Sequence, residues 1–466
     1  MTATTGPTTA TSALADFLAD PALRISDDHI DRAVDCLVDT LGCMVFGAGK
    51  PWSQRAAAHA RRTGGDGGPC PVVGSGFATS APMAAFANGA SGHAFELDDV
   101  HEEAISHPGA VVIPAVLAIA AETGASGLAV LEAIVVGYEA MGRAGIAVGP
   151  ASHMLAGFHP TGQSGVFGSA AAVGHLLDFG SGTMTSALGI AATFSSGTTE
   201  FNQSGGDTKR LHAGRAAEGG LTAALLAADG FDGPADGLAG RYGFCRISTT
   251  EPAVNLLTDN LGDRWMIDEI TVKPYAACSD IHPLIDAALE IRGRGVRADD
   301  IAEIYAEVPT KAAEQNSQDG TTSVMASQYS GPFNVAAAFL ADPSDPSTYT
   351  AGRIADPALA DLQARVVSMA AAEWCDASYA WKMAGGLRVV CTNGTEHHVR
   401  VSGQRGSMHR PLTSDEVEDK FRLLVGNRID ADAVIATARD LRHAPDLTSF
   451  WTALANGGNE PREDTC

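Results

Sequence analysis

Three histidines of this 466-residue chain each stand directly before a proline: His107, His159 and His282. Each pair lies at the predicted start of a helix, where proline fixes φ without removing a needed hydrogen-bond donor and sets the direction of the residue before it. A helix N-terminus disfavours positive charge and therefore favours a neutral imidazole. The three histidines are candidate general bases near neutral pH, although helix caps and buried hydrogen-bond donors use the same pattern.

Cations are scarce in this chain, which has a formal net charge of −24 and only six lysines. The segment NQSGGDTKRLHAGRAAEGG, residues 202–220, places Lys209, Arg210 and His212 beside a predicted helix start. Basic side chains in such a place favour a carboxylate or a phosphate. The chain has no Gly-x-x-x-x-Gly-Lys-Ser/Thr pattern, so a phosphate-binding P-loop is not expected. We favour an anion site here over a surface loop paired with acidic residues.

The segment SGHAFELDDVHEEAISHPG, residues 91–109, concentrates acidic residues and histidines. His93 and Glu96 are three residues apart, as are Asp98 and His101, and oxygen and imidazole ligands suit Mn, Fe or Zn. No second cluster elsewhere in the sequence completes a coordination shell, and the two adjacent glutamates are typical of a solvated face. We therefore predict no metal and keep a metal site as an alternative.

The segment TVKPYAACSDIHPLIDAAL, residues 271–289, carries Lys273 at the end of a predicted strand and His282 before a predicted helix. Side chains at strand-to-helix junctions commonly face a crevice. Cys278 lies between them, but no Cys-His-Asn signature surrounds it, which indicates a small buried thiol rather than a nucleophile.

Hydrophobic spacing predicts the elements that position these groups. Residues 12–265 show helical periodicity, with an aspartate at 27 or 28 as the expected N-cap of one long helix. Helical periodicity returns after residue 405, where Thr413 and Glu416 have the spacing of a capping box.

The intervening residues mix strand and helix patterns. Strands are predicted at 265–278, 301–309 and 387–403, the last as a hairpin around Asn393-Gly394, and helices at 283–294, 332–341 and 356–370. We therefore predict a mainly α protein. Its expected parts are a flexible tail at 1–11, a helical domain at 12–265 plus 405–460, and an inserted α+β lid domain at 266–404.

Composition excludes several classes of partner. The surplus of negative charge repels nucleic acid and anionic membranes. No segment has the length and apolarity of a membrane span, and the Thr-rich start lacks the apolar region of a signal peptide. The eight cysteines are scattered without a Cys-x-x-Cys pair, which indicates reduced thiols and a cytoplasmic location.

Taken in order along the chain, the four segments resemble the MmgE/PrpD family, which includes 2-methylcitrate dehydratase, cis-aconitate decarboxylase and iminodisuccinate epimerase. The resemblance covers nearly the whole chain. It implies a large helical domain, a smaller α+β lid domain, a site between them, a homodimer, and no metal or organic cofactor.

The resemblance also implies the site residues. The segments HAFELDDVHEEAISHPG, GFHPTGQSGVFG, DTKRLHAGRAA and VKPYAACSDIHP match four family motifs. The implied catalytic residues are His159, His107, Lys209 and Lys273. The implied substrate-binding residues are Asp98, Asp99, Arg210, His212, His282 and Tyr329.

Two departures from the family pattern bear on the substrate. Glu96 and Val100 stand where the decarboxylases of the family carry Asp and Thr, and one extra residue precedes His107. Phe333 stands where they have an active-site Tyr, with Tyr329 close by in sequence. Both departures argue against cis-aconitate as the substrate and leave the histidine and lysine positions intact.

We therefore predict a cofactor-independent lyase that dehydrates or decarboxylates a small di- or tricarboxylic acid. Lys209, Lys273 and Arg210 would bind carboxylates and stabilise enediolate-like charge at the α-carbon. His159 or His107 would remove or return the proton, and the other would protonate the leaving hydroxyl or the carbanion. The alternatives are an epimerase of a dicarboxylate such as iminodisuccinate, a metal-dependent hydrolase that uses the cluster at residues 93–107, and a non-catalytic protein that binds anionic metabolites.

Overall fold

The computed structural model describes residues 8–149, 156–201, 206–317, 321–379 and 381–455. The chain divides into two compact units. The first unit comprises the described residues of 8–94, 98–270 and 417–455, and the second unit comprises those of 95–97 and 271–416. The sequence placed the corresponding boundaries near residues 265 and 405. Residues 1–7 of the predicted tail lie outside the described residues, and the first helix begins at Ala10.

The described chain is mainly α-helical, as predicted. In chain order the α-helices are α1 (Ala10–Leu18), α2 (Asp27–Ala48), α3 (Pro51–Gly64), α4 (Ala81–Gly92), α5 (Gly109–Thr123), α6 (Gly127–Ala147), α7 (Pro160–Leu176), α8 (Ser181–Phe194), α9 (Thr208–Ala228), α10 (Phe244–Ser248), α11 (His282–Gly293), α12 (Thr310–Gln315), α13 (Val324–Gln328), α14 (Gly331–Leu340), α15 (Ala351–Ile354), α16 (Pro357–Gln363), α17 (Ala372–Cys375), α18 (Ser414–Val425), α19 (Ala431–Arg439) and α20 (Thr448–Ala455). Among the described residues, none of these helices is both long and apolar enough to cross a membrane.

The strands are short and few among the described residues. They are β1 (Cys70–Val72), β2 (Phe77–Thr79), β3 (Val100–His101), β4 (Ile270–Thr271), β5 (Ile301–Val308), β6 (Val366–Ala370), β7 (Ala384–Cys391) and β8 (Glu396–Ser402). The second unit contains a four-stranded sheet in the order β6-β5-β7-β8, in which β5 and β6 are parallel and the other pairs antiparallel. The hairpin predicted around Asn393-Gly394 is confirmed as the connection between β7 and β8, with Gly394 at φ 82°.

Several predicted helix boundaries are confirmed. α5, α7 and α11 each begin at or directly after one of the three histidine–proline pairs. The capping box before α18 is also present. The Thr413 N–H donates to Glu416 Oε2 at 2.8 Å, and the Glu416 N–H donates to Thr413 Oγ1 at 3.3 Å. These local patterns are set by neighbouring residues, so sequence alone is sufficient to locate them.

The expected aspartate cap of α2 is wrong by one or two residues. The hydroxyl of Ser26 accepts the N–H of His29 at 3.2 Å, so Ser26 is the N-cap. Asp27 and Asp28 lie in the first helical turn, where their negative charge interacts favourably with the helix dipole.

Two of the predicted elements also differ from the structure. The helix expected over 356–370 ends at Gln363, and the β-branched residues that follow form the edge strand β6. Of the strand expected over 265–278, only Ile270–Thr271 form a strand, β4. Met266–Glu269 form a 3-10 turn, and Arg264 donates to both carboxylate oxygens of Glu269 at 2.5 and 2.7 Å.

Small residues allow the central helices of the first unit to pack closely. A Cβ added at Gly168 of α7 would lie 2.7 Å from the Met141 Cβ on α6. A Cβ added at Gly214 of α9 would lie 2.3 Å from the Phe86 carbonyl oxygen on α4. Since both distances are far below van der Waals contact, only glycine fits at these positions. This close packing brings the first turns of α7 and α9 next to the end of α4.

Candidate active site

His93 lies at the C-terminal end of α4 and is almost completely buried, with 1% of its surface exposed. Its backbone N–H donates to the Gly89 carbonyl at 3.1 Å, which fixes the position of the residue. Its ring Nδ1 lies 2.6 Å from Asp98 Oδ2, and both side chains are inaccessible to solvent. Because a carboxylate can only accept, the proton of this hydrogen bond belongs to His93 Nδ1.

His107 lies just before α5 and faces the same carboxylate. Its Nδ1 is 2.7 Å from the carbonyl oxygen of Asp99 and 3.3 Å from Asp98 Oδ2. Since a carbonyl oxygen can only accept, His107 donates through Nδ1, and its Nε2 is the nitrogen that can exchange a proton. The backbone N–H of His107 donates to Thr161 Oγ1 on α7 at 3.2 Å, which ties the two helix starts together.

Asp99 holds the start of α5 in place. Its Oδ1 accepts the N–H of Gly109 at 2.9 Å, and its Oδ2 accepts the hydroxyl of Tyr138 at 2.7 Å. Burial raises the pKa of this carboxyl to about 7, against the lowering effect of the Tyr138 hydrogen bond. A Cβ added at Gly109 would lie 2.9 Å from Asp99 Oδ1 and 2.4 Å from Thr40 Oγ1, so a larger residue would displace these side chains. Asp99 therefore positions His107.

His159 is the N-cap residue of α7 and pairs with a histidine on α9. Its Nδ1 lies 2.9 Å from the Nδ1 of His212, a distance at which one ring donates and the other accepts. Its backbone N–H donates to the Gly197 carbonyl at 3.1 Å. The contact therefore requires at least one of the two imidazoles to be neutral.

The pKa of both rings is lowered, which favours the neutral form. Burial is the largest cause for His159, and electrostatic interaction with the neighbouring His93, Lys209, His212 and His107 side chains lowers its pKa further, to well below the usual value of 6.5. Burial, with the charges of His93 and Lys209, lowers the pKa of His212 to about 4. His159 is consequently neutral at pH 7 and able to accept a proton.

Four histidine rings are thus neighbours in the first unit, and we call His93, His107, His159 and His212 the imidazole cluster. The centroid of the His93 ring lies 4.8 Å from that of His107 and 5.8 Å from that of His159. The His159 and His212 centroids are 5.0 Å apart. The centroid of the Phe201 ring lies 5.7 Å from that of His159, in an edge-to-face arrangement.

Lys209 and Arg210 occupy the first turn of α9 and are both buried, with 4% and 6% of their surfaces exposed. Burial is the largest cause of the lowered pKa of His159 and of His212, and the charge of Lys209 contributes to both. Arg210 also makes two contacts within the first unit. Its Nε donates to the Ala94 carbonyl at 3.2 Å, and its guanidinium lies 4.0 Å from the centre of the Trp52 ring.

In the second unit, Lys273 is buried and faces an acidic side chain. Its Nζ lies 3.5 Å from Glu96 Oε2 and 3.5 Å from the Glu96 carbonyl oxygen. Glu96, one of the departures from the family pattern, has a φ of 57°. Left-handed backbone at a non-glycine residue costs about 1–3 kcal/mol and is concentrated at functional sites.

His282 and Cys278 belong to the turn that precedes α11. His282 donates through Nε2 to the Ala277 carbonyl at 3.1 Å, which closes this turn. Burial raises the pKa of Cys278 to about 11, so the thiol is protonated at neutral pH and is not a ready nucleophile. The prediction that Cys278 is an unreactive thiol agrees with this finding.

Tyr329 and Phe333 lie around the start of α14. Tyr329 is half-buried, and its carbonyl oxygen accepts the side-chain amide of Asn316 at 2.9 Å. Phe333 is fully buried, with its ring 6.0 Å from that of Tyr349. Phe333 is therefore part of the core of the second unit.

The candidate metal ligands that lie close together in the structure differ from the pairs suggested by sequence spacing. His93, Asp98 and His107 can bring one ligand atom each within 4.8 Å of one another. The pairs expected from sequence spacing do not form, because Glu96 faces Lys273 and His101 lies 3.4 Å from Glu269. Imidazole nitrogens and carboxylate oxygens are suitable ligands for a divalent transition metal. In this structure, however, His93 Nδ1 is hydrogen-bonded to Asp98 Oδ2.

The prediction that residues 102 and 103 form a solvated face is wrong for Glu102, which has only 5% of its surface exposed. Glu103 is partly exposed and pairs with Arg264. Sequence analysis also did not identify Tyr138 or Thr161, which position Asp99 and His107 from the middle of α6 and the start of α7. No local motif marks these two residues, since their partners are remote in sequence.

Most of the chain is similar to proteins of one known family. The family model of the MmgE/PrpD N-terminal domain matches residues 12–257, and that of the MmgE/PrpD C-terminal domain matches residues 275–442. The chain is 29% identical over 433 residues to cis-aconitate decarboxylase of Aspergillus terreus, covering 88% of each protein. It is 26% identical over 401 residues to cis-aconitate decarboxylase of Homo sapiens, covering 81% of this chain and 80% of that protein.

A third relative is the cis-aconitate decarboxylase-like protein oryM of Aspergillus oryzae, 34% identical over 280 residues, covering 56% of this chain and 57% of that protein. The two family models match consecutive parts of the chain and together span most of it. The resemblance seen in the motifs is thereby confirmed, and this chain belongs to the MmgE/PrpD family.

Proposed function

We propose that this chain is a lyase that removes water or carbon dioxide from a small di- or tricarboxylic acid, without a metal or organic cofactor. The observation that carries the proposal is the buried, neutral His159 inside a cluster of imidazoles, with the charge of Lys209 acting on it. The relatives named cis-aconitate decarboxylase support a carboxy-lyase or dehydratase activity.

His159 is the proposed base. If its Nδ1 donates to the Nδ1 of His212, its Nε2 carries the lone pair that accepts a proton from the carbon next to a carboxylate. The neutral ring is favoured before the substrate binds, because burial and nearby cations disfavour a charge on it. A substrate with several negative charges would offset those cations and allow the ring to take up the proton.

His107 is the proposed acid. Its Nδ1 donates to the Asp99 carbonyl at 2.7 Å, with the Asp98 carboxylate 3.3 Å away, so Nε2 is the nitrogen that can carry the transferred proton. Its Nε2 would then deliver a proton to the leaving hydroxyl in a dehydration, or to the carbanion in a decarboxylation.

Lys209 and Lys273 are the proposed carboxylate-binding cations. Both are buried in a chain with a strong surplus of negative charge. A buried ammonium group interacts strongly with a carboxylate and with enediolate-like charge at the α-carbon, because little water screens it. The further substrate-binding roles proposed for Asp98, Asp99, Arg210, His212, His282 and Tyr329 follow from the family motifs.

The test is to incubate the protein with 2-methylcitrate, citrate, cis-aconitate and iminodisuccinate and to follow the products by proton NMR in D2O. The proposal predicts loss of water or carbon dioxide from at least one of the acids. Deuterium entering at the α-carbon without such a loss would identify an epimerase instead. Stabilisation of the protein by one of the acids, with none of them converted, would identify a binding protein and contradict the lyase.

We also propose that the chain acts as a homodimer in the cytoplasm. The family resemblance supports the dimer, and the seven described cysteines, all free thiols, support a reducing compartment. Light scattering during size-exclusion chromatography would test the dimer, with a monomer mass as the contradicting result.

A further inference from the structure

We propose that His93 contacts the substrate directly, with Asp98 holding its Nδ1 and its Nε2 hydrogen-bonded to a carboxylate of the ligand. The inference rests on the proposed function for the chemical class of the ligand. It adds a binding group that neither the sequence analysis nor the family motifs assigned to catalysis or substrate binding.

The first observation is a buried nitrogen without a partner. His93 Nε2 is inaccessible to solvent and has no hydrogen-bond partner among the described residues. Buried polar atoms are nearly always hydrogen-bonded, so an exception indicates a group that is absent from the free protein. The ring cannot rotate to satisfy Nε2 without breaking the 2.6 Å hydrogen bond between Nδ1 and Asp98.

The second observation is the position of the ring within the imidazole cluster. The His93 ring lies almost parallel to that of His159, at an interplanar angle of 29° and a centroid distance of 5.8 Å. It lies 4.8 Å from the ring of His107. His93 is therefore adjacent to both the proposed base and the proposed acid.

The third observation is the charge around the ring. Asp98 lies on its Nδ1 side, and the C-terminal end of α4, which carries the negative end of the helix dipole, lies at its backbone. With Nδ1 donating to Asp98, a proton on Nε2 would allow the ring to donate to a bound carboxylate as well. The ligand would then lie on the side of the ring opposite Asp98.

Two substitutions of His93 separate the proposed contact of Nε2 with the ligand from the contact of Nδ1 with Asp98. In His93→Asn the amide nitrogen stands near the former Nδ1 and can still donate to Asp98, but the Nε2 donor is lost. In His93→Gln the amide reaches towards the former Nε2 position, and the Asp98 contact is lost. A matched control is His101→Asn, since His101 is equally buried and faces Glu269 but makes no ring contact with the imidazole cluster among the described contacts.

The measurement is citrate binding by isothermal titration calorimetry, with the unfolding temperature of each variant. His93→Asn should unfold near the wild-type temperature and bind citrate about 10- to 100-fold more weakly, the range for loss of a hydrogen bond between charged groups. His101→Asn should bind citrate as the wild type does. Unchanged citrate affinity in a folded His93→Asn protein would overturn the inference.

The outcomes also separate this inference from the proposed lyase. Turnover of an acid by the wild type, with unchanged affinity in His93→Asn, would contradict the role of His93 and leave the lyase standing. Citrate binding that depends on His93, without turnover of any acid, would contradict the lyase and support the role of His93. Absence of citrate binding by the wild type would overturn the inference.

If the variants fail to fold, a crystal structure of the wild type with citrate decides. A citrate oxygen within about 3.2 Å of His93 Nε2 would support the role of His93, and the absence of one there would overturn it.

Discussion

The substitution Tyr138→Phe tests how the buried Asp99 carboxyl is held beside His107. It removes the hydroxyl that donates to Asp99 Oδ2 at 2.7 Å and changes no other polar atom. The pKa of Asp99 is raised from 3.8 to about 7 by burial, and the Tyr138 hydrogen bond is the largest effect that opposes the rise. Without the hydroxyl, we expect the pKa of Asp99 to rise further.

The cost of Tyr138→Phe should therefore depend on pH. At about pH 5 the Asp99 carboxyl is neutral, and loss of a hydrogen bond between neutral groups lowers the free energy of unfolding by about 0.5–1.5 kcal/mol. At about pH 8 it is ionised in the wild type, and the expected cost rises to about 1.5–3 kcal/mol. The cost rises with pH because Asp99 keeps its proton to a higher pH in the folded variant than in the folded wild type.

The assay is urea unfolding followed by circular dichroism at about pH 5 and about pH 8. A matched control is Tyr349→Phe, since Tyr349 is equally buried and donates to the neutral Asn334 Oδ1 at 2.7 Å. Its cost should be about 0.5–1.5 kcal/mol at both pH values. Equal costs of Tyr138→Phe at the two pH values would refute the account of Asp99.

Three further predictions follow from the same geometry. His159→Ala should lower turnover about 10²- to 10⁴-fold at an unchanged unfolding temperature, and near-normal activity would exclude this residue as an acid or base. Lys209→Met should weaken citrate binding and raise the pKa of His159 and His212, so the acidic limb of the kcat/KM profile should move to higher pH; an unmoved limb would contradict the electrostatic role of Lys209. Dialysis against a chelator should leave turnover unchanged, and loss of turnover restored by Mn, Fe or Zn would instead favour a metal at His93, Asp98 and His107.

Family and fold class could be predicted from the sequence because they depend on local patterns. Helical spacing, the three histidine–proline helix starts and the turn at Asn393-Gly394 are each specified by a few neighbouring residues. The family models confirm the resemblance, and the relatives named cis-aconitate decarboxylase confirm the prediction of an enzyme of the lyase class. The substrate is still a proposal.

The contacts within the site could not be predicted, because they join residues that are remote in sequence. His159 meets His212 across 53 positions, and Tyr138 meets Asp99 across 39. His93 was considered only as a metal ligand with Glu96, whereas packing turns its ring to Asp98. The roles assigned to the predicted site residues stay predictions until variants are measured.

Some local errors have an equally physical cause. The residues after Gln363 were predicted as the end of a helix, but Val366–Ala370 pair with the adjacent strand β5 and form β6. Glu102 was predicted to be solvated because it stands next to another glutamate, but it is buried, and burial depends on tertiary packing that a local charge pattern does not specify.

The protonation state of His159 tests the central claim most directly. Protein labelled with ¹⁵N in its histidines can be titrated by NMR, with His159→Gln used to assign the ring signals. The account predicts that the His159 ring is neutral at pH 7 and stays neutral well below pH 6.5, because burial and surrounding cations lower its pKa. A ring that is already protonated at pH 7 would contradict it.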